Sequence, residues 1–197
     1  MSSDSREHKT SLAVWDLRSP LVIGHTAKMK VGAKCSAGCE LSGHEIEIHD
    51  HAGRIIACAQ LGPMPWPGTS GLYWAELDFL APAKHGTYTW AVTSPHGEAS
   101  SDFTFITVEP PEHRLTIRVR DRTTQASVPD VEVRLGVYRT SSDDRGLATF
   151  ELPGGRYSLT VWKMGYEHFS TMLDVTGTTM LDVEIDVEAE LKQPYWM

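Results

Sequence analysis

Cysteine and histidine are the residues of this sequence whose types and spacing could support chemistry. Cys35 and Cys39 enclose three residues, and His49, His51 and Cys58 follow a short distance along the chain. Thiolate and imidazole groups are the usual ligands of zinc, and a thiolate is also a nucleophile. These five residues are therefore the one cluster in the sequence with metal-ligand residue types. They could form a metal centre or support a thiol-dependent reaction.

The same five residues also have a purely structural interpretation. Cys35 falls in a row of apolar residues, Cys39 in a loop of small residues, and His49 and His51 at the tip of a polar hairpin. Three intervening residues between two cysteines is not a common zinc-binding spacing. We therefore predict no metal and no cofactor here, with the metal site as the alternative. The odd number of cysteines indicates reduced thiols, although Cys58 could form a bridge with Cys35 or Cys39.

No other motif predicts catalysis. The sequence lacks the Gly-x-Ser-x-Gly elbow of a serine nucleophile, and its glycines mark turns rather than a strand-to-helix phosphate loop. We therefore predict no catalytic residue and expect the protein not to be an enzyme.

The elements that would position the cysteine and histidine cluster are short strands. From Ala27 to Cys35 apolar residues alternate with Lys28, Lys30 and Lys34, which predicts a strand with one buried face. A turn at 50–53 between two further apolar runs indicates a hairpin. About seven such strands, with turn signals every 8 to 12 residues or so, are typical of an immunoglobulin-like sandwich, and Tyr88 resembles its tyrosine corner.

The second half of the chain is predicted to contain short strands joined by tight turns. Asp143 to Gly146 forms one predicted turn, and Pro153-Gly154-Gly155 forms the next. These residues resemble the carboxypeptidase regulatory-like domain, a transthyretin-like β-sandwich of seven strands. The matching elements are Leu115-Thr116-Ile117-Arg118-Val119, Val131-Glu132-Val133, Asp143 to Gly146, Leu152 to Tyr157, and Gly165-Tyr166. Such domains are appendages of peptidases, adhesins, receptors and multi-subunit oxidoreductases, so the resemblance implies a fold and no particular activity.

The predicted fold class is all-β, with two β-sandwich domains in tandem. We expect a flexible N-terminus at 1–10, an immunoglobulin-like domain at 11–108, a proline linker at 109–112, a carboxypeptidase regulatory-like domain at 113–188, and a tail at 189–197. Pilin relatives of the second domain cross-link a first-strand lysine to a late asparagine. Because the chain contains no asparagine, that isopeptide bond is excluded.

Charge and hydropathy argue against two classes of partner. The net charge is −8 and basic residues do not cluster, so we predict no nucleic-acid binding. No apolar run is long enough to cross a bilayer, and the polar N-terminus does not resemble a signal peptide. We therefore expect a cytoplasmic protein without membrane insertion.

Aromatic residues outside the strands predict where a protein partner binds. Trp66 lies in a proline-rich loop that suggests exposure, and Tyr195 and Trp196 lie in the tail, so these three are the interface candidates. Trp74, Trp90 and Trp162 lie within strands and are expected in the core. We predict a non-catalytic interaction module, a small accessory subunit that docks onto a larger and possibly redox enzyme complex. The alternatives are a metal-binding or thiol-dependent protein, and ligand binding at Trp66.

Overall fold

The structure, a computed structural model, describes residues 8–94 and 99–188, and these residues form an all-β fold. Residues 1–7, residues 95–98, and the tail with Tyr195 and Trp196 lie outside this range. Among the described residues there is no helix with the length and hydropathy needed to span a membrane. The chain divides into two compact units, unit 1 at 1–108 and unit 2 at 109–197.

Unit 1 has two sheets that enclose one core. A three-stranded sheet has the order β1-β3-β6, and a five-stranded sheet has the order β2-β8-β7-β4-β5. Neighbouring strands are antiparallel except for β2 and β8, which are parallel. The strands are β1 (Thr10–Trp15), β2 (Leu21–Val22), β3 (Thr26–Cys35), β4 (Glu45–His49), β5 (Ile55–Gln60), β6 (Tyr73–Leu80), β7 (Gly86–Thr93) and β8 (Ser100–Val108).

The alternation in β3 determines which face of the three-stranded sheet is buried. Met29, Val31 and Cys35 are buried in the core, whereas Lys28 and Lys34 are exposed, as the sequence predicts. In β-strands successive side chains point to opposite faces, so one row packs against the second sheet. Aromatic and aliphatic residues of the second sheet meet this row, and those that are almost fully buried include Ile46, Ile48, Trp90, Val92 and Phe105.

Unit 2 also has two sheets around one core. Its four-stranded sheet has the order β11-β10-β13-β14, and its three-stranded sheet has the order β12-β9-β15. The last strand, β15, is parallel to the first strand of the unit, β9. The strands are β9 (His113–Asp121), β10 (Glu132–Leu135), β11 (Tyr138–Ser141), β12 (Leu147–Leu152), β13 (Gly155–Trp162), β14 (Phe169–Val175) and β15 (Thr179–Ile185).

The turn before β12 is built around Asp143 and Gly146. The Asp143 carboxylate accepts hydrogen bonds from the backbone N–H groups of Arg145 and Leu147, each at 2.9 Å. Gly146 has a φ of +73°, and a Cβ atom placed on it would lie 2.6 Å from the Val119 carbonyl oxygen. Only glycine fits this position, because it combines a left-handed backbone with close approach to β9.

Each unit has a tyrosine at the start of a central strand that bonds back to the main chain. The Tyr88 hydroxyl donates to the Lys84 carbonyl oxygen at 3.0 Å, which confirms the predicted tyrosine corner of unit 1. In unit 2 the Tyr157 hydroxyl donates to the Pro153 carbonyl oxygen at 2.8 Å. The matching Gly-x-Tyr segments in the sequence therefore fold in the same way.

Candidate functional site

Cys35 and Cys39 meet at the end of β3 in unit 1. Cys35 is the last residue of the strand and is buried, and the chain then turns back at Gly38, whose φ is +76°. This turn brings the two sulfur atoms to 3.0 Å, although all three cysteines of the chain are free thiols. The hydrogen bond between the Cys35 and Cys39 side chains lowers the pKa of Cys35 and raises the pKa of Cys39.

The third donor beside these thiols is His8. Its Nδ1 atom lies 3.1 Å from Cys39 Sγ and 3.9 Å from Cys35 Sγ. The antiparallel register of β1 and β3 pairs Thr10 with Cys35, which carries the residues before β1 past the end of β3. The backbone of Lys9 and Ser36 extends this pairing, because Ser36 N–H donates to the Lys9 carbonyl oxygen at 2.9 Å. Residues 8–10, which we expected to be flexible, are thus held against β3.

The cluster predicted from the sequence does not form as a whole. His49 lies at the end of β4, where its Nε2 atom is 2.9 Å from Glu47 Oε2. His51 lies in the exposed hairpin turn, and Cys58 is an exposed residue of β5. The grouping of these three residues with Cys35 and Cys39 was therefore wrong. His51 lies beyond the end of β4, His49 contacts Glu47, and Cys58 is exposed on β5.

The cysteines and His8 open onto a cleft of about 400 Å³. Glu40 and His44, both exposed, also line this cleft. A carboxylate and a second imidazole therefore line the same cleft as the two thiols. Sequence reasoning placed His8 in a mobile terminus and missed it as a site residue, because its approach to Cys35 depends on the pairing of β1 with β3.

Trp66 is half-buried rather than exposed. Its ring lies 5.3 Å from the ring of Trp15 and 4.9 Å from the ring of Trp74, centroid to centroid, and both pairs meet edge to face. The proline-rich loop folds back towards the start of β6, since the backbone N–H of Trp66 donates to the Leu72 carbonyl oxygen at 2.7 Å. The ammonium group of Lys30 lies 5.1 Å from the Trp66 ring centroid, within the range of a cation–π interaction. That Trp66 contacts a partner stays a prediction.

Among the tryptophans at 8–94 and 99–188, Trp162 is the exposed one. The sequence placed it in the core, but 48% of its surface is exposed, whereas Trp90 is 4% exposed as expected. In β13 the buried residues are Leu159 and Val161, so the strand alternation directs Trp162 to the outer face. The sequence already indicates this exposure, because Trp162 continues the row of every second residue that contains Arg156, Ser158 and Thr160.

The outer face of the β11-β10-β13-β14 sheet surrounds Trp162 with polar and charged residues. We call it the Trp162 face. The register aligns Trp162 with Glu132 of β10 and Ser158 with Met172 of β14, whose exposed fraction is 52%. Beside Trp162 lies a shallow pocket of about 320 Å³. Its lining consists of Glu132, Arg134, Thr160, Trp162 and His168.

No protein-family model matches this sequence, and no curated protein matches it. Three of the matching solved structures illustrate the range of similarity. The pilus 2b backbone protein of group B streptococcus is 13% identical, with a TM-score of 0.36 over 93% of this chain and 99% of that chain. The major pilin subunit BcpA of Bacillus cereus is 10% identical, with a TM-score of 0.35 over 90% of this chain and 71% of that chain. A CARDB domain from Pyrococcus furiosus is 16% identical, with a TM-score of 0.36 over 51% of this chain and 96% of that chain. These values are too low to transfer any function to this chain, so function must be argued from its own geometry.

Proposed function

We propose that this chain is a non-catalytic binding module, a small accessory subunit that docks onto a larger enzyme subunit through the Trp162 face. The observation that carries the proposal is the exposure of Trp162 on the outer face of the four-stranded sheet of unit 2. Tryptophan has few rotamers and a large apolar surface, so it loses little entropy when a partner covers it. A half-exposed tryptophan beside a shallow pocket is therefore suited to anchor an interface.

The composition of the Trp162 face supports this role. Tryptophan, methionine and arginine are enriched at protein interfaces, and this face presents Trp162, Met172 and Arg134. The rest of the face contains hydroxyl side chains that can satisfy hydrogen bonds at an interface rim. They are Ser141, Ser158, Thr160 and Ser170.

Charge indicates the chemistry of the partner. The face presents three arginines, Arg134, Arg139 and Arg156, against two carboxylates, Glu132 and Asp174. The whole chain, by contrast, has a net charge of −8. Ion pairs within the face offset most of these charges, because Arg134 and Arg139 pair with Glu132 and Arg156 pairs with Asp174. The face therefore lacks the acidic excess of the whole chain, which favours a partner with a nearly neutral or mildly acidic surface around an apolar site for the indole ring.

The wider context of the proposal comes from the resemblance of unit 2 to carboxypeptidase regulatory-like domains. Such domains serve as appendages of larger proteins, so we propose that unit 2 provides such an appendage to a larger enzyme. A cytoplasmic, multi-subunit redox enzyme is the host that we propose. Trp66, Tyr195 and Trp196 are secondary candidates for contact with the same partner.

The experiment is affinity purification of the tagged chain from its own organism, followed by reconstitution with the purified partner. We expect one larger enzyme subunit in stoichiometric amount, and Trp162→Ala should weaken its binding at least about 10-fold, as for an interface hot spot. Leu80→Ala is the matched control, because Leu80 is 64% exposed but belongs to unit 1. A photo-crosslinking amino acid at position 162 should give a covalent adduct with the partner. Unchanged affinity of Trp162→Ala, or loss of binding only in Trp66→Ala, would refute the proposed surface.

A further inference from the structure

The cluster of His8, Cys35 and Cys39 has the donors and the spacing of a metal site. The ligand atoms of the three residues all lie within 4.8 Å of one another. A tetrahedral ion with metal–sulfur bonds of about 2.3 Å and metal–nitrogen bonds of about 2.0 Å holds its sulfurs about 3.8 Å apart and sulfur and nitrogen about 3.5 Å apart. The observed separations are 3.0 Å between the sulfurs, and 3.1 and 3.9 Å from sulfur to nitrogen. Side-chain movements of less than about 1 Å would therefore bring all three donors into coordination.

Backbone hydrogen bonds around the cluster hold the segments that carry the three donors. Cys35 belongs to the ten-residue strand β3, and Gly38 N–H donates to the Cys35 carbonyl oxygen at 3.1 Å, which closes the turn to Cys39. Ser36 holds Lys9, the residue next to His8, through two hydrogen bonds. Its backbone N–H donates to the Lys9 carbonyl oxygen at 2.9 Å, and its hydroxyl accepts the Lys9 N–H at 3.1 Å. His8 and Cys39 lie just outside the strands, but these hydrogen bonds tie their segments to the end of β3, so the site needs little reorganisation to bind an ion.

We propose that His8, Cys35 and Cys39 bind one thiophilic d¹⁰ cation, Zn²⁺ or Cu⁺. Thiolate and imidazole donors select these ions over harder cations such as Mg²⁺ and Ca²⁺. Binding replaces the two thiol protons by the metal, so that two thiolates balance the charge of Zn²⁺. The fourth position faces the cleft that Glu40 and His44 line, where a water molecule or one of these side chains completes the coordination of zinc. This site lies in unit 1 and is independent of the Trp162 face.

The first measurement is metal binding by the full chain in its reduced form. Titration with Co²⁺ should give about one equivalent of a complex with intense visible bands and a thiolate charge-transfer band, both typical of tetrahedral cobalt with sulfur ligands. Zn²⁺ should displace the cobalt and bleach these bands. Competition with chromophoric chelators for Zn²⁺ and Cu⁺ then determines which of the two ions the site prefers.

Variants decide whether these three residues are the ligands. Cys39→Ser and His8→Ala should each lower the affinity for the preferred ion, the cysteine variant by more than the roughly 100-fold that loss of an outer-shell partner costs. Cys58→Ser and His49→Ala remove the same residue types elsewhere in unit 1 and should bind as the parent chain does. Circular dichroism on each variant verifies that the fold is intact.

Three results would overturn the proposal. The first is the absence of the cobalt charge-transfer band, and the second is equal loss of affinity in Cys58→Ser. The third is a Cys35–Cys39 disulfide in the chain purified from its own organism without reductant, because a disulfide leaves no thiolate to bind the ion.

Discussion

Replacement of Gly146 by alanine should destabilise unit 2 by about 3 kcal/mol. The left-handed backbone at φ +73° costs alanine about 1 kcal/mol. The new Cβ atom would lie 2.6 Å from the Val119 carbonyl oxygen, so the turn must move away from β9. That movement weakens two backbone hydrogen bonds, from Val119 N–H to the Gly146 carbonyl oxygen and from Val128 N–H to the Val119 carbonyl oxygen. Each contributes about 1 kcal/mol.

The matched control is Gly165→Ala. Gly165 has a φ of +83°, but no heavy atom lies within 4 Å of a Cβ placed there, so only the backbone cost of about 1 kcal/mol applies. Native-state hydrogen exchange, measured by mass spectrometry on peptides of β9 and β12, gives the free energy of opening of unit 2. Peptides of unit 1 should be unchanged, because that unit has a core of its own. Equal destabilisation by the two variants would refute the collision at Val119.

Two further predictions concern single hydrogen-bonding groups. Tyr88→Phe and Tyr157→Phe each remove one hydroxyl bond to a carbonyl, and each should lower the stability of its own unit by about 1 kcal/mol in urea unfolding; no change in either would show that the bond contributes nothing. The Asp121 carboxylate accepts bonds from Thr123 and Thr124, and the backbone bond from Thr124 is the main cause of its lowered pKa. Its stabilisation should be complete above the unfolded-state pKa of about 3.9 and be lost as the pH falls through the lower pKa of the folded state. Asp121→Asn should therefore unfold more readily than the parent chain at pH 7 but not in strong acid, and a difference that persists in acid would contradict this.

Local patterns predicted the parts of the fold that depend on neighbours in sequence. The alternation from Ala27 to Cys35 gave the correct buried row of β3, because strand side chains alternate whatever the strand pairs with. Tyr88 bonds four residues back along the chain, a local contact of the kind that its resemblance to a tyrosine corner implies.

Features that depend on distant pairing were missed. His8 approaches Cys35 across 27 residues, and only the register of β1 with β3 brings them together. The fold-back of the loop that half-buries Trp66 likewise depends on contacts with β1 and β6. Trp162 is a different case. Its exposure follows from the alternation of β13, and the error came from expecting every tryptophan within a strand in the core without asking which face of the strand it occupies.

The parallel pairing of β15 with β9 affects how unit 2 can fold during synthesis. The two strands are joined by the ion pair of Arg118 with Asp182, which lie 64 residues apart. Because the ribosome makes β9 first, one edge of this strand has no partner until β15 emerges, and an open edge can pair with another chain. Arg118 and Arg120 place positive charges on β9 while its edge is still unpaired, and like charges on neighbouring nascent chains repel. We expect these arginines to disfavour edge-to-edge pairing of β9 until β15 emerges, after which Arg118 forms its ion pair with Asp182.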